Sequence, residues 1–464
     1  MGLSTPALLF VGLIGPVWVL LYLAGLGRRW GILVPFSLMM LSASLMSGTD
    51  YYGRPIPTIW MGLQTNRAEI YMAAGLAAVG VLAVQFGRLA GTRVSVAAVL
   101  FITGGLYAAL LRFHHGGAQD GVQSTVFALV TLIPLACVPG LAGASALQIK
   151  RLLRSMAIVN AVWVAMCALQ FMVDPRALTL GNQYRFIGLI GNPQHAGTLL
   201  AFWSTTVLWL LLNDRGKFLR LIYTAILGAN FVLLAWSGSR TGMGMTTIGL
   251  AAVMYTRLGR VILFLPVIAV LAYMGFKAVL AITGLEVGVD RLATLEDTRT
   301  GAWLTLIEVG MANPIMGAGA DDAVRSENSW LFAFASYGIG MLGIVLLMTF
   351  VAFVEWLRSA KLRFSLEGED RRLMDLCLGA IAMFFAGAVL EGYIVARINP
   401  PICFFLVYSN LAAGLTRKAS LIRRGLLAPE WSDDHAAEGE YETYGDYGDY
   451  GEGPHGGEPD PAYS

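Results

Sequence analysis

The sequence predicts an all-α protein, a polytopic transmembrane helical bundle of about 12–14 spans, and three observations predict it. First, 56% of the 464 residues are hydrophobic and only 13% are charged, against about a quarter charged in a soluble domain. Second, apolar runs of about 20 residues recur along the chain, and that length crosses the hydrocarbon core of a bilayer. Third, basic residues concentrate in alternate connections between these runs, as the positive-inside rule requires.

The apolar runs, taken in order with their flanking polarity, give about 13 spans within a transmembrane domain over 1–425. The predicted spans are 5–26, 31–48, 70–87, 95–111, 122–143, 155–173, 196–212, 220–236, 242–256, 261–283, 329–356, 375–395 and 400–415. No basic segment precedes the first run and no small-residue cleavage site follows it, so we interpret it as a retained span. The four cysteines lie inside apolar runs without CxxC spacing, which predicts neither disulfides nor a zinc site.

The distribution of basic residues orients the bundle. Most of the 32 lysines and arginines lie in alternate connections, from Arg28 and Arg29 to the C-terminal segment after the last span. This bias predicts an outside N-terminus and a cytoplasmic C-terminus in a multi-pass membrane protein. The segment 49–69 leaves one alternative open, because a missed or re-entrant span there would reverse the orientation of the N-terminal half.

Two long segments, 174–195 and 284–328, lie on the outside in this orientation. Within the second, TRTGAWLTLIEVGMA has the spacing of an amphipathic helix, with the apolar residues Trp303, Leu306, Ile307 and Met311 on one side. The following NPIMGAG ends that helix with proline and glycine. We expect segment 284–328 to lie along the membrane surface and to cover a site on the outside.

The C-terminal segment 426–464 is acidic and rich in glycine and tyrosine, so it cannot bury an apolar core and should be disordered in the cytoplasm. Four tyrosines recur there every three residues: Tyr441, Tyr444, Tyr447 and Tyr450. A solvated low-complexity tail explains them. The alternative is a phosphorylation or docking site for a chain-length regulator or a tyrosine kinase.

Arg240 stands out within AWSGSRTGMG, residues 235–244. It is the only charge for more than fifteen residues on either side, and small residues surround it. Small residues let helices pack closely and let a ligand reach backbone donors. A permanent cation fixed at the end of a span is therefore a functional-site hypothesis.

Further polar side chains fall on the same predicted side as Arg240. They are Arg185, Asn192 and His195 before one span, Arg299, Glu327 and Asn328 before another, and Glu391, Arg397 and Asn399 after the twelfth. Arginine binds phosphate oxygens in a fork and stays charged at any working pH. Several arginines converging on an outside cavity would suit a lipid-linked phosphate or pyrophosphate. The structural alternatives are that His195 is an ordinary interfacial residue and that Glu391 pairs with Arg397.

Four motifs carry a resemblance to a known family. In order along the chain they are GLIGNPQHAGTLLAF, WSGSRTGMGM, RTGAWLTLIEVGMANPIMGAG and ENSWLFAFASYGIGMLGIVLL. Over roughly residues 150–415 the chain resembles the superfamily of Wzy-type polysaccharide polymerases and O-antigen ligases. The resemblance implies transfer of a glycan from undecaprenyl pyrophosphate to an acceptor hydroxyl, with no nucleotide sugar, cofactor or metal. It makes Arg240 and Arg299 the cations that bind the pyrophosphate.

One position departs from the ligases of this superfamily, which carry a histidine where this chain has Glu327. Glu327 could act as the base for the acceptor hydroxyl while Asn328 orients substrate, or it could be the N-cap of the following helix. The change favours a polymerase that joins lipid-linked repeat units into surface or extracellular polysaccharide. In this interpretation the substrate-binding residues are Arg185, Asn192, His195, Asn328 and Arg397.

Three rival functions remain at this level, none of which involves nucleic acid. An O-antigen ligase would transfer the same donor to lipid A core. A flippase or transporter of lipid-linked oligosaccharide would show intramembrane charges and repeat symmetry between its halves, and Lys277 is the strong candidate for such a charge. A scaffold that recruits partners through its tail would leave the outside arginines unexplained.

Overall fold

The computed structural model describes ten stretches of the chain. They are residues 17–25, 31–45, 58–85, 93–142, 146–180, 185–259, 274, 299–319, 327–394 and 399–427. The structure is 85% helical with almost no strand, which confirms the predicted all-α class. Within the described residues the one pair of strands, β1 (Thr179–Leu180) and β2 (Arg185–Phe186), is antiparallel.

Twelve helices are described at both of their ends, and we number them in chain order. They are α1 (Leu33–Ala43), α2 (Met61–Thr65), α3 (Arg67–Val84), α4 (Val96–Ala142), α5 (Ala146–Val173), α6 (Pro193–Asn213), α7 (Lys217–Ser237), α8 (Arg240–Leu258), α9 (Thr300–Ala312), α10 (Ser329–Leu362), α11 (Gly368–Leu390) and α12 (Pro400–Arg423). Residues 17–23 are also helical. Short 3₁₀ turns lie at Pro175–Leu178, Gly188–Ile190 and Arg363–Ser365.

Among the described residues, seven helical segments are long and apolar enough to cross a membrane, so the chain is a multi-pass, membrane-embedded helical protein. These segments are Arg67–Val84, Val96–Val122, Leu147–Val173, Pro193–Asn213, Lys217–Ser237, Ser329–Ser365 and Gly368–Leu390. Each overlaps a predicted span. The predicted spans 242–256 and 400–415 coincide with α8 and α12.

Shorter apolar helices at Leu33–Ala43 and Ser124–Val138 overlap the second and fifth predicted spans. The second of these belongs to α4, which also contains the fourth predicted span and is interrupted at Gly117. Two predicted spans therefore join through a bend rather than a loop. The predicted tenth span, most of the first, and Lys277 lie outside the described residues.

Charge pairs mark one end of the bundle. Lys150 at the start of α5 pairs with Glu369 at the start of α11 (2.9 Å), and Arg154 pairs with Asp214 after the end of α6 (2.7 Å). The other pairs there are Arg363 with Asp375 (2.9 Å) and Lys418 with Asp370 (2.8 Å). The last turns of α6, α10 and α12 thus meet the first turns of α5 and α11. Lys150, Arg154, Arg363 and Lys418 belong to basic connections that the sequence predicts to be cytoplasmic.

The opposite end of the bundle is where α6, α10 and α12 begin, and each begins with an asparagine cap. Asn192, Asn328 and Asn399 accept hydrogen bonds from the first free backbone N–H groups of these helices. Proline follows the cap at the start of α6 and of α12, where its missing N–H costs nothing. These caps fix where the helices begin, and so fix the connections around the candidate site.

The surface helix α9 forms where the sequence predicts it, and the apolar residues predicted on one side of it differ in burial. Leu306 is buried, whereas Ile307 and Met311 are 41% and 67% exposed. Small residues decide the contact: Ala302 and Gly310 are buried with Leu306 against α10. The face with the bulkiest side chains is therefore not the one that packs on the protein.

The segment after α9 docks onto a break in α10. The break lies at Gly338, whose φ of +75° is costly for any residue with a Cβ. Pro314 accepts a hydrogen bond from the Ile339 N–H (2.8 Å), while the Ala318 N–H donates to the carbonyl of Ala335 (2.8 Å). Backbone groups that the break frees are thus satisfied by the docked segment. The NPIMGAG segment after α9 and the ASYGIG segment within α10 therefore pack against each other.

Helices α6 and α8 approach closely at Gly197 and Gly242. A Cβ at Gly242 would lie 2.6 Å from the carbonyl carbon of Gly197, whereas a Cβ at Gly244 would meet nothing within 4 Å. We expect Gly242→Ala to lower the free energy of unfolding by about 1–3 kcal/mol, because overpacking forces the helices apart.

Gly244→Ala is the matched control for this contact, on the same helix. It should raise stability by roughly 0.5–1 kcal/mol, because alanine is the better helix former. Unfolding of the detergent-solubilised variants measures both effects. Equal stability of the two variants would contradict the close approach of α6 and α8.

Candidate functional site

The hairpin between α7 and α8 is a two-residue turn. Gly238 follows α7 in the left-handed region (φ +58°). Ser239 then caps α8, its Oγ accepting the N–H of Gly242 at 3.1 Å. Arg240 is the first residue of α8. The cation is therefore held at a helix N-terminus, where the helix dipole also favours an anion.

Arg185 stabilises this hairpin from the side. Its side chain is buried, with 3% exposed, and its Nε donates to the carbonyl oxygen of Ser237 at 2.8 Å. Its Nη2 donates to the carbonyl of Gly238 at 3.4 Å. A guanidinium on the last carbonyls of α7 satisfies groups that no helical partner reaches. The structure thus places this predicted ligand-binding residue as a support of the Arg240 turn.

A second support comes from α6. Ser239 Oγ donates to Gln194 Oε1 at 2.9 Å, next to the close contact of Gly197 with Gly242. The motif around Gln194 and the motif around Arg240, which are separated by the two helices α6 and α7, therefore form one packed unit.

Arg299, the residue before α9, reaches this unit from a distant part of the chain. Its Nη2 donates to Thr241 Oγ1 (3.2 Å) and to Glu391 Oε1 (3.0 Å), and its Nη1 donates to the carbonyl oxygen of Leu390. Thr241 Oγ1 also donates to Glu391 Oε1 at 3.1 Å. Since Thr241 follows Arg240 directly, these contacts bring the two predicted pyrophosphate-binding arginines to one site. We call Arg240, Thr241, Arg299, Glu327 and Glu391 the arginine site.

Glu391 follows the last residue of α11 and is 5% exposed. Burial raises its pKa from 4.5 to about 7, although the guanidinium of Arg299 and the hydroxyl of Thr241 act in the opposite direction. The negative charge of Glu327 raises this pKa further. Glu391 therefore exchanges a proton near neutral pH while it orients Arg299.

Glu327 lies next to this pair at the entrance to α10. Its Oε2 is buried and has no hydrogen-bond partner among the described residues. The alternative that Glu327 caps α10 is wrong, because the cap is Asn328, whose Oδ1 accepts the N–H groups of Trp330 and Leu331, both at 3.1 Å. The carboxylate of Glu327 is thus not committed to the helix terminus.

Ser329 holds the segment that carries Glu391 in place through hydrogen bonds. Its Oγ donates to the carbonyl oxygen of Glu391 (2.7 Å) and accepts the N–H groups of Tyr393 (3.1 Å) and Ile394 (3.3 Å). One buried hydroxyl therefore ties the start of α10 to the end of α11. This contact fixes Glu327 relative to Glu391.

The remaining predicted substrate-binding residues divide into three groups. Asn192 and Asn328 have their Oδ1 atoms engaged as helix caps, which leaves only their amide N–H groups for a ligand. His195 lies in the first turn of α6. Arg397 lies outside the described residues, and Glu391, for which the sequence suggested a pair with Arg397, pairs with Arg299.

The sequence did not predict the roles of two residues of the arginine site, Thr241 and Glu391. Thr241 could have been singled out, because it adjoins Arg240 within the same motif. Glu391 could not be linked to Arg299, because 92 residues separate them and no spacing rule connects them. In the stretches that the structure describes, no group of three or more His, Cys, Asp or Glu side chains could hold a metal ion.

No protein-family model matches the chain, and no curated protein sequence matches it. Any assignment of activity therefore rests on the motifs and on the geometry of the arginine site. That geometry consists of Arg240 at a helix N-terminus, Arg299 bound to the neighbouring Thr241, and two carboxylates, of which Glu391 has a pKa raised by burial. Such a group can bind an anion and exchange a proton next to it.

Proposed function

We propose that the protein polymerises glycan repeat units carried on undecaprenyl pyrophosphate, as a glycosyltransferase of the bacterial inner membrane. The observation that carries the proposal is the convergence of Arg240 and Arg299 through Thr241. Two guanidiniums at one helix N-terminus suit the two phosphates of a polyprenyl pyrophosphate. The resemblance of the four motifs to polymerases and ligases of lipid-linked glycans supports the same function.

The position of the arginine site supports action on the outer face of the membrane. It lies where α8 and α10 begin and α11 ends, at the end of the bundle opposite the charge pairs of Lys150, Arg154 and Lys418. Because basic connections face the cytoplasm in membrane proteins, this site would face the periplasm. Lipid-linked repeat units are available to it there, and cytoplasmic nucleotide sugars are not.

The reaction breaks the bond between the anomeric carbon of the donor glycan and the pyrophosphate oxygen. Negative charge then grows on the leaving undecaprenyl pyrophosphate, and Arg240 and Arg299 stabilise it. Glu391 and Thr241 hold Arg299 in position before the donor arrives, so little reorganisation is needed when charge develops.

The second half of the reaction forms the glycosidic bond to a hydroxyl of the acceptor sugar. Glu327, with its buried Oε2 outside any hydrogen bond of the described residues, takes the proton of that hydroxyl. The products are a glycan longer by one repeat, free undecaprenyl pyrophosphate and a proton on Glu327.

Reconstitution with defined substrates tests this function. The full-length protein in vesicles would receive a synthetic undecaprenyl-pyrophosphate repeat unit as donor, and either a second repeat unit or lipid A core as acceptor. We expect a ladder of products with the repeat-unit acceptor alone. Transfer to lipid A core instead would identify a ligase, and donor flipping without a new glycosidic bond would identify a transporter. Either result would overturn the proposed polymerase.

A further inference from the structure

A cavity of about 200 Å³ lies near the opposite end of the bundle from the arginine site. It is lined by residues at the start of α4, in the second half of α10, in the middle of α11 and in the second half of α12. Its polar lining consists of Arg93, Glu355, Arg358, Ser359, Ser409 and Thr416. Alanines, valines, Trp356 and Ile381 make up the rest of its wall. The cavity thus combines guanidinium groups with an apolar interior.

The cavity carries a net positive charge because its two arginines outnumber its one carboxylate, which is already engaged by hydrogen bonds. Glu355 accepts hydrogen bonds from Ser95 Oγ (2.6 Å) and from the N–H of Val96 (2.9 Å), so it serves the N-terminus of α4. Neither Arg93 nor Arg358 forms an ion pair within the described part of the chain. Two forked cations therefore face one cavity without a dedicated anion, which is the arrangement that binds phosphate.

Ser409 gives an independent indication of a ligand. Its side chain is 5% exposed, and its Oγ has no hydrogen-bond partner among the described residues, although it lines the cavity. A buried hydroxyl without a partner is costly, and such groups normally bind water or a ligand. Neighbouring Asn410, in contrast, is fully used, accepting the Ser95 N–H (2.8 Å) and donating to Leu406 (2.7 Å).

We propose that this cavity binds a phosphate anion, held by Arg93 and Arg358 at its charged end with Ser409 donating a hydrogen bond inside. An anionic phospholipid can supply that phosphate, because part of the cavity wall is apolar and the cavity lies at the end of the bundle that is rich in basic residues. A soluble phosphate would use the same cations. The proposal is independent of glycan transfer, because the cavity and the arginine site lie at opposite ends of the bundle.

Native mass spectrometry of the full-length protein tests this site. Detergent-solubilised protein would be titrated with phosphatidylglycerol, with phosphatidylcholine, and with inorganic phosphate as competitor. We expect the protein to retain phosphatidylglycerol in preference to phosphatidylcholine. Arg93→Ala combined with Arg358→Ala should weaken this retention about tenfold or more. Binding of inorganic phosphate alone, lost in the same double variant, would identify a soluble anion as the ligand.

Two further variants separate the cavity from general surface charge. Arg424→Ala removes an exposed arginine just after α12, outside the cavity lining, and should leave retention unchanged. Ala413→Leu fills the cavity without altering charge and should reduce retention. Equal retention by wild type, the double arginine variant and Ala413→Leu would overturn the proposal, as would the absence of binding by both probes.

Discussion

Arg240→Ala and Arg299→Ala will each reduce glycan polymerisation by roughly 10²–10³-fold, the usual loss when one preorganised group that stabilises transition-state charge is removed. In a polysaccharide-producing strain this loss should appear as short or absent polymer at normal protein levels. The physical reason is that the leaving pyrophosphate then keeps a single guanidinium. Combining both substitutions should cost little more than either alone, because residues that act as one unit are not additive.

Arg176→Ala is the matched control, because Arg176 is exposed in the 3₁₀ turn that follows α5, toward the same end of the bundle. It should leave chain length unchanged. Arg299→Lys adds a sharper test: it keeps the charge but loses the fork that reaches both Thr241 and Glu391. Polymer of wild-type length from Arg240→Ala at normal abundance would exclude the proposed role of the site.

The spans were predictable because their signal is local. A bilayer imposes a length and an apolar composition on each helix, and all seven segments that meet both criteria overlap a predicted span. The helix starts were predictable too. Asn192 followed by Pro193, and Asn399 followed by Pro400, carry the cap-then-proline signature of a helix N-terminus. This signature alone assigns the side chain of Asn192 to capping of α6 rather than to substrate binding.

The packing of α9 was not predictable from periodicity. Apolar residues cover much of the circumference of α9, and the shape of the facing surface of α10 determines which side of α9 packs. Gly310 has no side chain, and a Cβ there would collide with the ring of Phe334. Periodicity ranks faces by hydrophobicity, whereas contact with a large ring requires a small residue. The exposed Ile307 and Met311 are the consequence.

Arg240, Arg299 and Glu327 of the arginine site were predictable from the sequence, and the role of Glu391 was not. Arg240 is conspicuous because a charge inside a long apolar stretch is expensive. Glu391 lies at the end of a span, where a carboxylate is ordinary. Its significance comes only from the tertiary contact with Arg299 and from burial. A pairing over 92 residues depends on where α9 begins and α11 ends in space, and no sequence spacing encodes that.

The stability of Glu391→Gln relative to wild type will increase as pH rises. This substitution isolates the effect of the buried carboxylate on stability. In the folded wild type the pKa of Glu391 is raised from 4.5 to about 7, so the native state binds a proton more tightly than the unfolded state. Its contribution to stability is therefore complete below pH 4.5 and is lost as pH rises through 7. Two and a half pH units correspond to roughly 3 kcal/mol.

The measurement is the free energy of unfolding of both proteins in detergent between pH 4 and pH 8. The difference, Glu391→Gln minus wild type, should increase by about 3 kcal/mol across this range, because glutamine does not titrate. Glu308→Gln, which removes an exposed carboxylate from α9, is the matched control. If the difference in unfolding free energy between Glu391→Gln and wild type stayed constant with pH, the raised pKa of Glu391 would be contradicted. Polymerisation should rise over the same pH range in the wild type, because ionised Glu391 holds Arg299 more firmly than the protonated acid does.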